Sequence, residues 1–360
     1  MARERIERLD VRAFSIPTDG PEADGTLRWD HTVLVLVLAR GAGQVGLGYT
    51  YASRAAADLV RHVLSRVVIG ADPLSPGACY RAMGVQLRNL GRQGLAWMAL
   101  SAVDAALWDL KARLLGLPLS VLLGPVRPAV EIYGSGGFTT YDLERLTSQL
   151  AAWAHHGIPR VKMKVGTNPG ADPLRVHAAR EAIGPGVELF VDANGAYDRK
   201  QAIALGETFA REGVVWFEEP VSSEDVAGLG LVRDRLPAPM EVAAGEYVSD
   251  LQTVRPLLEV VDVLQADMTR CGGVSGLLSV SGLCEAWHLP MSLHCAPAQH
   301  APVALALRPL RNLEYFHDHV RIEQMLFDGV APQVKGTLIP TGAPGNGLTL
   351  KEADASRYEV

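Results

Sequence analysis

Cysteine is scarce in this chain, and no two cysteines are spaced as a C-x-x-C pair. The four thiols are too few for a disulfide scaffold, so we expect them to be reduced: Cys79, Cys271, Cys284 and Cys295. The first residues, MARERIERLDVR, are charged and lack the apolar stretch of a signal peptide. The longest clean apolar run, Val33 to Ala39, is far shorter than the roughly 20 residues that cross a bilayer. These absences predict a cytoplasmic protein without a membrane partner.

Positive charge is also in short supply, because 34 Lys and Arg residues face 40 Asp and Glu residues and leave a net charge of −6. Without basic blocks, such a chain is a poor ligand for nucleic acid, which we exclude as a partner. The same balance would repel an acidic small molecule unless something local reverses the sign. P-loop and G-x-S-x-G motifs are missing. The G-x-G-x-x-G pattern at Gly41–Gly46 lacks the acid about 20 residues later that a dinucleotide site needs, and it predicts a hairpin turn.

The chain has 360 residues, of which 48% are apolar. Two different patterns of apolar residues divide it into two regions. Strand-like alternation around Leu9 is followed by the turn-rich segment PTDGPEADG and by an apolar strand over Thr32–Ala39. From Ser53 to about Gly116, apolar residues recur at helical spacings of three and four. The strands and the helices of this first region together predict an α+β domain over residues 1–125.

Beyond Gly124-Pro125, short strands alternate with helices such as Leu143–His155 and Arg199–Arg211. Eight strands joined by crossovers of this size predict a parallel sheet closed into an α/β barrel over residues 126–330. The predicted strands are Val130–Tyr133, Arg160–Val165, Val187–Val191, Val214–Phe217, Met240–Ala244, Val261–Ala266, Pro290–Leu293 and Arg311–Tyr315. We expect the tail, residues 331–360, to pack back on the first domain.

Polar residues recur at the carboxyl ends of seven predicted barrel strands, where barrel enzymes keep their chemistry. One falls in each βα unit: Lys164, Asp192, Glu218, Glu246, Asp267, His294 and Glu314. An isolated acid at a strand end could arise by chance, whereas seven residues in register form a poor coincidence. The pattern therefore predicts an active site at this face of the barrel.

Three of these residues predict a metal site. Asp192, Glu218 and Glu246 follow three consecutive strands, and neighbouring strands lie about 5 Å apart, so the carboxylates can converge on one cation. Ligation by oxygen alone favours a hard ion, and we expect one Mg²⁺ per subunit. Asn194, two residues after Asp192, either points into the same site or serves as a turn residue.

The remaining residues predict acid/base chemistry on two sides of that metal. Lys162 and Lys164 are two apart on a strand and face the same way, so their repulsion should lower the pKa of at least one and free an amine as a base. Asp267 and His294 end neighbouring strands, where a carboxylate can orient an imidazole. Glu314 ends the eighth strand and joins the site by register alone.

The ordered set resembles the enolase superfamily and, within it, the mandelate racemase subgroup of mandelate racemase/muconate lactonizing enzyme-like proteins. The resemblance covers nearly the whole chain. It rests on VKMKVG, FVDANG, WFEEP, AAGE, ADMTRCGG, SLHCAP and NLEYF, with the helix AVDAALWDLKARLLGLPL and the ending APGNGLTL. It implies a modified (β/α)7β barrel of the TIM type with an N-terminal α+β capping domain.

The resemblance also implies roles for the residues. The three acids bind Mg²⁺, Lys164 is a base with Lys162 beside it, the His294–Asp267 dyad acts on the opposite face, and Glu314 contacts the substrate carboxylate. The α-proton of a carboxylate is then removed through a metal-stabilised enediolate. If His294 protonates a departing β-hydroxyl, an acid sugar is dehydrated to a 2-keto-3-deoxy acid, and the enzyme is a lyase.

Other outcomes stay open at this point. If His294 instead returns a proton to the opposite face, the enzyme is a racemase or epimerase of a 2-hydroxy acid; a metal-binding structural or interaction protein is a third reading. The capping loops hold polar side chains that suit a polyhydroxylated acid better than an aryl one. As substrate-binding residues we predict Asn194, Trp29, Tyr51, Arg28 and His31. The expected partners are this small-molecule carboxylate and further copies of the chain in a homo-oligomer.

Overall fold

The computed structural model describes residues 4–360, so the first three residues of the predicted first domain and of its charged start lie outside it. Its strands are β1 (Ile6–Ala23), β2 (Arg28–Gly41), β3 (Gln44–Tyr51), β4 (Val130–Gly136), β5 (Arg160–Lys164), β6 (Glu188–Asp192), β7 (Val214–Glu218), β8 (Glu241–Ala244), β9 (Val263–Ala266), β10 (Met291–Leu293), β11 (Leu310–Phe316), β12 (Phe327–Asp328), β13 (Gln333–Val334), β14 (Thr337–Leu338) and β15 (Thr349–Leu350).

The α-helices are α1 (Ala55–Leu59), α2 (Ser65–Val68), α3 (Pro76–Gln86), α4 (Leu95–Leu114), α5 (Leu119–Leu123), α6 (Leu143–His155), α7 (Asp172–Ile183), α8 (Arg199–Arg211), α9 (Val226–Arg235), α10 (Leu251–Val254), α11 (Gly273–Ala286), α12 (Pro297–Ala304), α13 (His317–Leu326) and α14 (Glu352–Ala355). A π-helical turn, Val60–Leu64, joins α1 to α2. Within residues 4–360, no helix combines the length and the apolar character that crossing a membrane requires.

The N-terminal part is an antiparallel sheet in the order β1–β2–β3, with α1–α4 on one face and α12–α14 against the other. The prediction of a turn-rich segment after residue 16 was wrong, because β1 continues to Ala23. Its pairing with β2 is irregular between Pro17 and Glu22 and then resumes, since an edge strand can absorb proline in such an irregularity. The real turn is shorter: Asp24 Oδ1 accepts hydrogen bonds from the backbone N–H of Thr26 and Leu27 at 2.6 and 2.7 Å.

The glycines of the G-x-G-x-x-G pattern serve packing. The pattern spans the β2–β3 hairpin, in which Gly41 pairs with Gln44, so the predicted hairpin turn is confirmed. A Cβ atom on Gly46 would lie 2.2 Å from the carbonyl oxygen of Ala106, and one on Gly48 would lie 2.4 Å from that of Ala102. Glycine therefore lets β3 approach the backbone of the long buried helix α4.

The predicted barrel is confirmed. Strands β4 to β11 pair in sequence order, all parallel, and β11 pairs with β4 to close the ring. Along β5, Val161 and Met163 pack in the apolar cluster between strands and helices, while Lys162 and Lys164 point to the inside. The alternation of this strand thus places two ammonium groups within the barrel.

An aromatic layer fills the barrel below the lysines. Phe190 and Trp216 stack with their ring centroids 4.9 Å apart, and Tyr133 lies 5.4 Å from Phe190. All three side chains are fully buried, which stabilises the barrel by about 1.5–3 kcal/mol for each ring. The ammonium of Lys162 lies 5.2 Å above the ring of Tyr133. The layer therefore forms the floor of the polar site above it.

The C-terminal tail touches both parts of the molecule. The hairpin β13–β14 extends the barrel sheet by pairing β14 with the start of β4. Farther along, the side-chain amide of Asn346 donates to the carbonyl of Leu47, and the N–H of Val360 donates to the carbonyl of Ala13. Arg12 forms ion pairs with Glu352 and Glu359. Beyond β14, the tail therefore packs against the N-terminal sheet.

Candidate active site

Three carboxylates converge at the carboxyl ends of β6, β7 and β8. Asp192 and Glu218 are the last residues of their strands and are register partners across the sheet. Glu246 follows β8 after Gly245. The backbone of Gly245 has a φ of +131°, and a Cβ atom there would lie 2.2 Å from the carbonyl oxygen of Gln265, so only glycine fits at this position. One oxygen of each carboxylate lies within 4.8 Å of the others.

The donor set of this carboxylate cluster, Asp192, Glu218 and Glu246, fits a hard divalent cation. All three side chains are buried. Glu246 Oε2 and the nearby Asn194 Oδ1 are both buried without a hydrogen-bond partner, which is costly for oxygens unless another ligand completes them. Purely oxygen ligands at such spacing are the ligands that Mg²⁺ prefers.

Two buried lysines approach the carboxylate cluster from β5. The ammonium of Lys162 lies 2.6 Å from Glu218 Oε1 and 2.9 Å from Glu314 Oε1. The ammonium of Lys164 lies 2.5 Å from Asp192 Oδ2, its partner in the sheet register. Each lysine thus neutralises part of the negative charge of the cluster.

The expectation that repulsion lowers the pKa of a lysine is wrong for this arrangement. Burial lowers the pKa of Lys164, and the charge of Lys162 lowers it further, but Asp192, Glu246 and Glu218 together hold it above its ordinary value. Burial likewise lowers the pKa of Lys162, and Glu218 and Glu314 reverse the effect. Both lysines are therefore protonated as long as no other positive charge neutralises the neighbouring carboxylates.

The predicted dyad lies on the other side of the cluster. His294 Nδ1 is 2.9 Å from Asp267 Oδ2, and His294 Nε2 is 3.4 Å from Glu246 Oε2. The other oxygen of Asp267 accepts from the N–H of Thr269 at 2.7 Å. Burial raises the pKa of Asp267, but the hydrogen bond and charge of His294 lower it below its ordinary value. An ionised Asp267 therefore fixes the imidazole with Nε2 facing the cluster.

Glu314 of β11 closes the ring between the two sides. Its Oε1 accepts from Ser135 Oγ at 2.6 Å as well as from Lys162, and its Oε2 accepts from the N–H of Cys295 at 3.0 Å. Burial raises the pKa of Glu314, but the charges of Lys162 and His294 hold it well below its ordinary value. Glu314 is therefore ionised in this arrangement. With it, all seven predicted strand-end residues and Lys162 lie in one site.

Comparison with known proteins identifies the family. The domain described as "Mandelate racemase / muconate lactonizing enzyme, N-terminal domain" matches residues 22–124, and "Enolase C-terminal domain-like" matches residues 145–354. The chain belongs to the mandelate racemase/muconate lactonizing enzyme group of the enolase superfamily.

Relatives of this enolase-superfamily chain share its whole length. A mandelate racemase/muconate lactonizing enzyme-like protein from Rubrobacter xylanophilus is 54% identical, with a TM-score of 0.98 over 99% of this chain and 100% of that one. L-talarate/galactarate dehydratase from Salmonella typhimurium LT2, crystallised with Mg and L-lyxarohydroxamate, is 28% identical, with a TM-score of 0.91 over 100% and 94%. D-galactarolactone cycloisomerase of Agrobacterium fabrum is 30% identical over 95% of each chain.

The enolase-superfamily site contains three residues that the sequence interpretation missed. Glu219 is buried beside the cluster with one oxygen unpartnered and a φ of +37°. Arg270 approaches Glu246 at 3.5 Å and Asp267 at 3.7 Å. Cys295, considered above only as a reduced thiol, lies with its sulfur 3.2 Å from His294 Nε2. The doubled acid in WFEEP and the Arg in ADMTRCGG were the available signals.

The structure brings only some of the predicted substrate-binding residues to the mouth. Asn194, with a φ of +46°, follows the cluster directly. Tyr51 stacks on His319 at a centroid distance of 3.5 Å, and His319 Nδ1 accepts from the N–H of Ala296, just beyond the dyad. Trp29 instead donates to Glu22 Oε2 at 2.8 Å.

Arg28 and His31 lie near the start of β2. Both are exposed, and within residues 4–360 neither forms an ion pair or a side-chain hydrogen bond with a mouth residue; His31 pairs with its neighbour Asp30. The strand β2 begins at Arg28 and directs both side chains to the surface. Their role in substrate binding stays a prediction.

The β1–β2 turn docks directly on the barrel mouth. A Cβ atom on Gly25 would lie 2.2 Å from the carbonyl oxygen of Ala193 and 2.8 Å from that of Val165, the residues that follow Asp192 and Lys164. The carbonyl of Asp24 accepts from Thr167 Oγ1 at 2.7 Å. The cap and the strand ends that carry the chemistry are thus in backbone contact.

Proposed function

We propose that this chain abstracts the α-proton of a carboxylate substrate with Mg²⁺, most consistently as an acid-sugar dehydratase that forms a 2-keto-3-deoxy acid. The observation that carries the proposal is one carboxylate cluster with an acid/base group at each end. Lys164 Nζ contacts Asp192 at 2.5 Å, and His294 Nε2 lies 3.4 Å from Glu246. A site with an acid/base group at only one end could remove the α-proton or protonate the leaving hydroxyl, but not both.

Asp192, Glu218 and Glu246 would hold the Mg²⁺, as their buried oxygens and the unpartnered Glu246 Oε2 support. When bound, the cation supplies positive charge that stabilises the negative charge developing on the substrate carboxylate. The solved talarate/galactarate dehydratase with Mg supports this choice of ion. Without the cation, six acidic side chains face only Lys162, Lys164 and Arg270, and this excess of acids would repel an acidic substrate.

Lys164 would take the α-proton. The three carboxylates that raise its pKa, Asp192, Glu246 and Glu218, are the proposed metal ligands. Once their charge is compensated, burial and Lys162 remain, and both lower the pKa of Lys164. Lys162, paired with Glu314 at 2.9 Å, would stay charged beside the substrate oxygens.

His294 would protonate the departing β-hydroxyl from the opposite side. Asp267 holds Nδ1 at 2.9 Å and leaves Nε2 to exchange a proton with the substrate. Asn194 Oδ1 and the Tyr51 hydroxyl are buried without a hydrogen-bond partner, and both would bind substrate hydroxyls. Trp29 would contribute to substrate binding through the side chain of Glu22, to which it donates a hydrogen bond. Glu314 would hold Lys162, and Lys162 would orient the substrate carboxylate.

Racemisation or epimerisation of a 2-hydroxy acid is the second candidate, since Lys164 and His294 could each serve as base. The relative named as a D-galactarolactone cycloisomerase adds a related isomerase outcome. In these reactions the proton removed on one side is replaced from the other, and no hydroxyl leaves. The purely structural or interaction role finds no support in two opposed acid/base groups.

The test is a screen of hexarates, hexonates and pentonates with Mg²⁺, with detection of 2-keto-3-deoxy acids and, by chiral chromatography, of epimers. We expect keto product that disappears on chelation with EDTA and returns with Mg²⁺. Epimer without keto product would establish the second candidate instead. Turnover that survives EDTA would contradict the metal-dependent proposal.

We also propose the division into a capping domain (1–125), a barrel (126–330) and a tail (331–360). A sheet confined to residues 6–51, a closed barrel over 130–316 and the tail contacts support these limits. A cytoplasmic location and a homo-oligomeric assembly stay predictions.

A further inference from the structure

We propose that His294, Cys295 and Glu314 form a second metal site, selective for thiophilic divalent cations such as Zn²⁺ or Cd²⁺. An ion bound there would block the dyad. The three side chains are at most 8% exposed, and their donor atoms lie within 4.8 Å of one another. The site shares no ligand with the carboxylate cluster proposed to hold Mg²⁺.

The spacing of the donors matches one tetrahedral ion. Bond lengths of about 2.3 Å to sulfur and about 2.0–2.2 Å to nitrogen or oxygen separate the ligands of such an ion by roughly 3.3–3.6 Å. Here Cys295 Sγ lies 3.2 Å from His294 Nε2 and 3.4 Å from Glu314 Oε2, and Nε2 lies 3.8 Å from Oε2. Shifts of a few tenths of an ångström would bring all three distances close to those values.

The local backbone explains why adjacent residues can serve as ligands together. Cys295 and Ala296 both have positive φ, +53° and +41°, and this left-handed turn follows β10 immediately. An extended strand would direct residues 294 and 295 to opposite faces. The turn instead places the thiol beside the imidazole on the inside of the barrel.

Neighbouring side chains fix the orientation of two of the ligands, His294 and Glu314. Asp267 holds His294 Nδ1, which leaves Nε2 as the free ligand atom in the carboxylate–histidine–metal arrangement common at zinc sites. Ser135 and Lys162 hold Glu314 Oε1, so Oε2 faces the thiol. Binding would release the thiol proton to solvent, and thiolate plus carboxylate would balance the charge of a divalent ion.

Ligand softness separates the two sites. Sulfur and imidazole nitrogen favour Zn²⁺ or Cd²⁺, whereas the oxygens of the carboxylate cluster favour Mg²⁺. The sites nevertheless touch, because His294 Nε2 lies 3.4 Å from Glu246 Oε2. A thiophilic ion would therefore occupy the nitrogen that the proposed function uses as an acid, and inhibition at this site rests on that function.

The test is a Cd²⁺ titration of the full chain in excess Mg²⁺, followed by the ultraviolet thiolate-to-cadmium charge-transfer band. We expect one equivalent of Cd²⁺ to produce the band, Cys295→Ser to abolish it and the control Cys284→Ser, a cysteine buried in α11, to keep it. Because Cys295→Ser could disturb folding, circular dichroism accompanies it. His294→Ala retains the thiol and should bind Cd²⁺ at least ~10-fold more weakly.

The readout is independent of catalysis, so it stands even if the proposed reaction is wrong. Absence of the band in wild type, its persistence in Cys295→Ser, unchanged affinity in His294→Ala, or suppression of the band by Mg²⁺ in competition for one site would each overturn the proposal.

Discussion

The barrel mouth and the β1–β2 segment of the cap, residues 17–31, meet in the same site but are built differently. In the mouth, strands fix each functional side chain, as the register pairs Lys164–Asp192 and Asp192–Glu218 show. The cap segment reaches the mouth through a glycine and backbone carbonyls, and it leaves Arg28 and His31 in solvent. The acidic and basic side chains of the mouth are thus placed by sheet geometry, whereas the position of the cap segment depends on how its turn docks.

The largest effects should come from the mouth. Lys164→Ala and His294→Ala should each lower kcat by about 10²–10⁴-fold or more, because each removes a proposed proton-transfer group. Calorimetric titration should still show Mg²⁺ binding, since neither residue is a proposed ligand. The exposed lysine variant Lys200→Ala serves as the control. If either mouth variant retained the wild-type rate, the assigned role would be wrong.

A change in the cap should have an intermediate effect. Gly25→Ala places a Cβ atom within 2.2 Å of the carbonyl oxygen of Ala193, so the turn must move away from the mouth. Displacement by about 1 Å can cost roughly 10²-fold, and we expect kcat/KM to fall by about 10–100-fold while Mg²⁺ binding persists.

The matched control for this change is Gly77→Ala, in α3 of the same region, where a Cβ would meet nothing within 4 Å. Steady-state kinetics of both variants decide the point. Equal kcat/KM values for the two variants would show that docking of the cap turn does not matter to the reaction.

A separate effect, outside catalysis, concerns the stability of the cap. Burial, with the charge of Asp318, raises the pKa of Glu22 to about 8. The folded chain therefore keeps a proton that the unfolded chain loses near pH 4.3, so wild-type stability falls by up to about 1.4 kcal/mol per pH unit up to about pH 8. Glu22→Gln mimics the protonated form and should lack this loss.

Urea unfolding near pH 5 and near pH 8 measures the difference between wild type and Glu22→Gln. The exposed substitution Glu207→Gln should leave the pH dependence as in wild type. A Glu22→Gln variant with the wild-type pH dependence would show that Glu22 is ionised in the folded cap.

Much of the barrel and its mouth was predictable from the sequence for a geometric reason. Parallel strands align their carboxyl ends, so one polar residue per βα unit suffices to predict convergence. The pKa of Lys164 was not predictable, because it depends on distances to three carboxylates on other strands. Nor were the inward placements of Glu219 and Cys295, which depend on positive φ values at non-glycine residues. In the cap, the proline and glycine residues of PTDGPEADG wrongly predicted a turn, because β1 accommodates them by irregular pairing with β2.

The central claim is that Lys164 removes the α-proton and that His294, on the opposite side of the carboxylate cluster, protonates the departing β-hydroxyl. Deuterium incorporation at the α-carbon of an accepted sugar acid, followed by NMR in heavy water with Mg²⁺, tests it most directly. We predict incorporation by His294→Ala without dehydration, and none by Lys164→Ala or without Mg²⁺. Undiminished incorporation by Lys164→Ala would contradict the account.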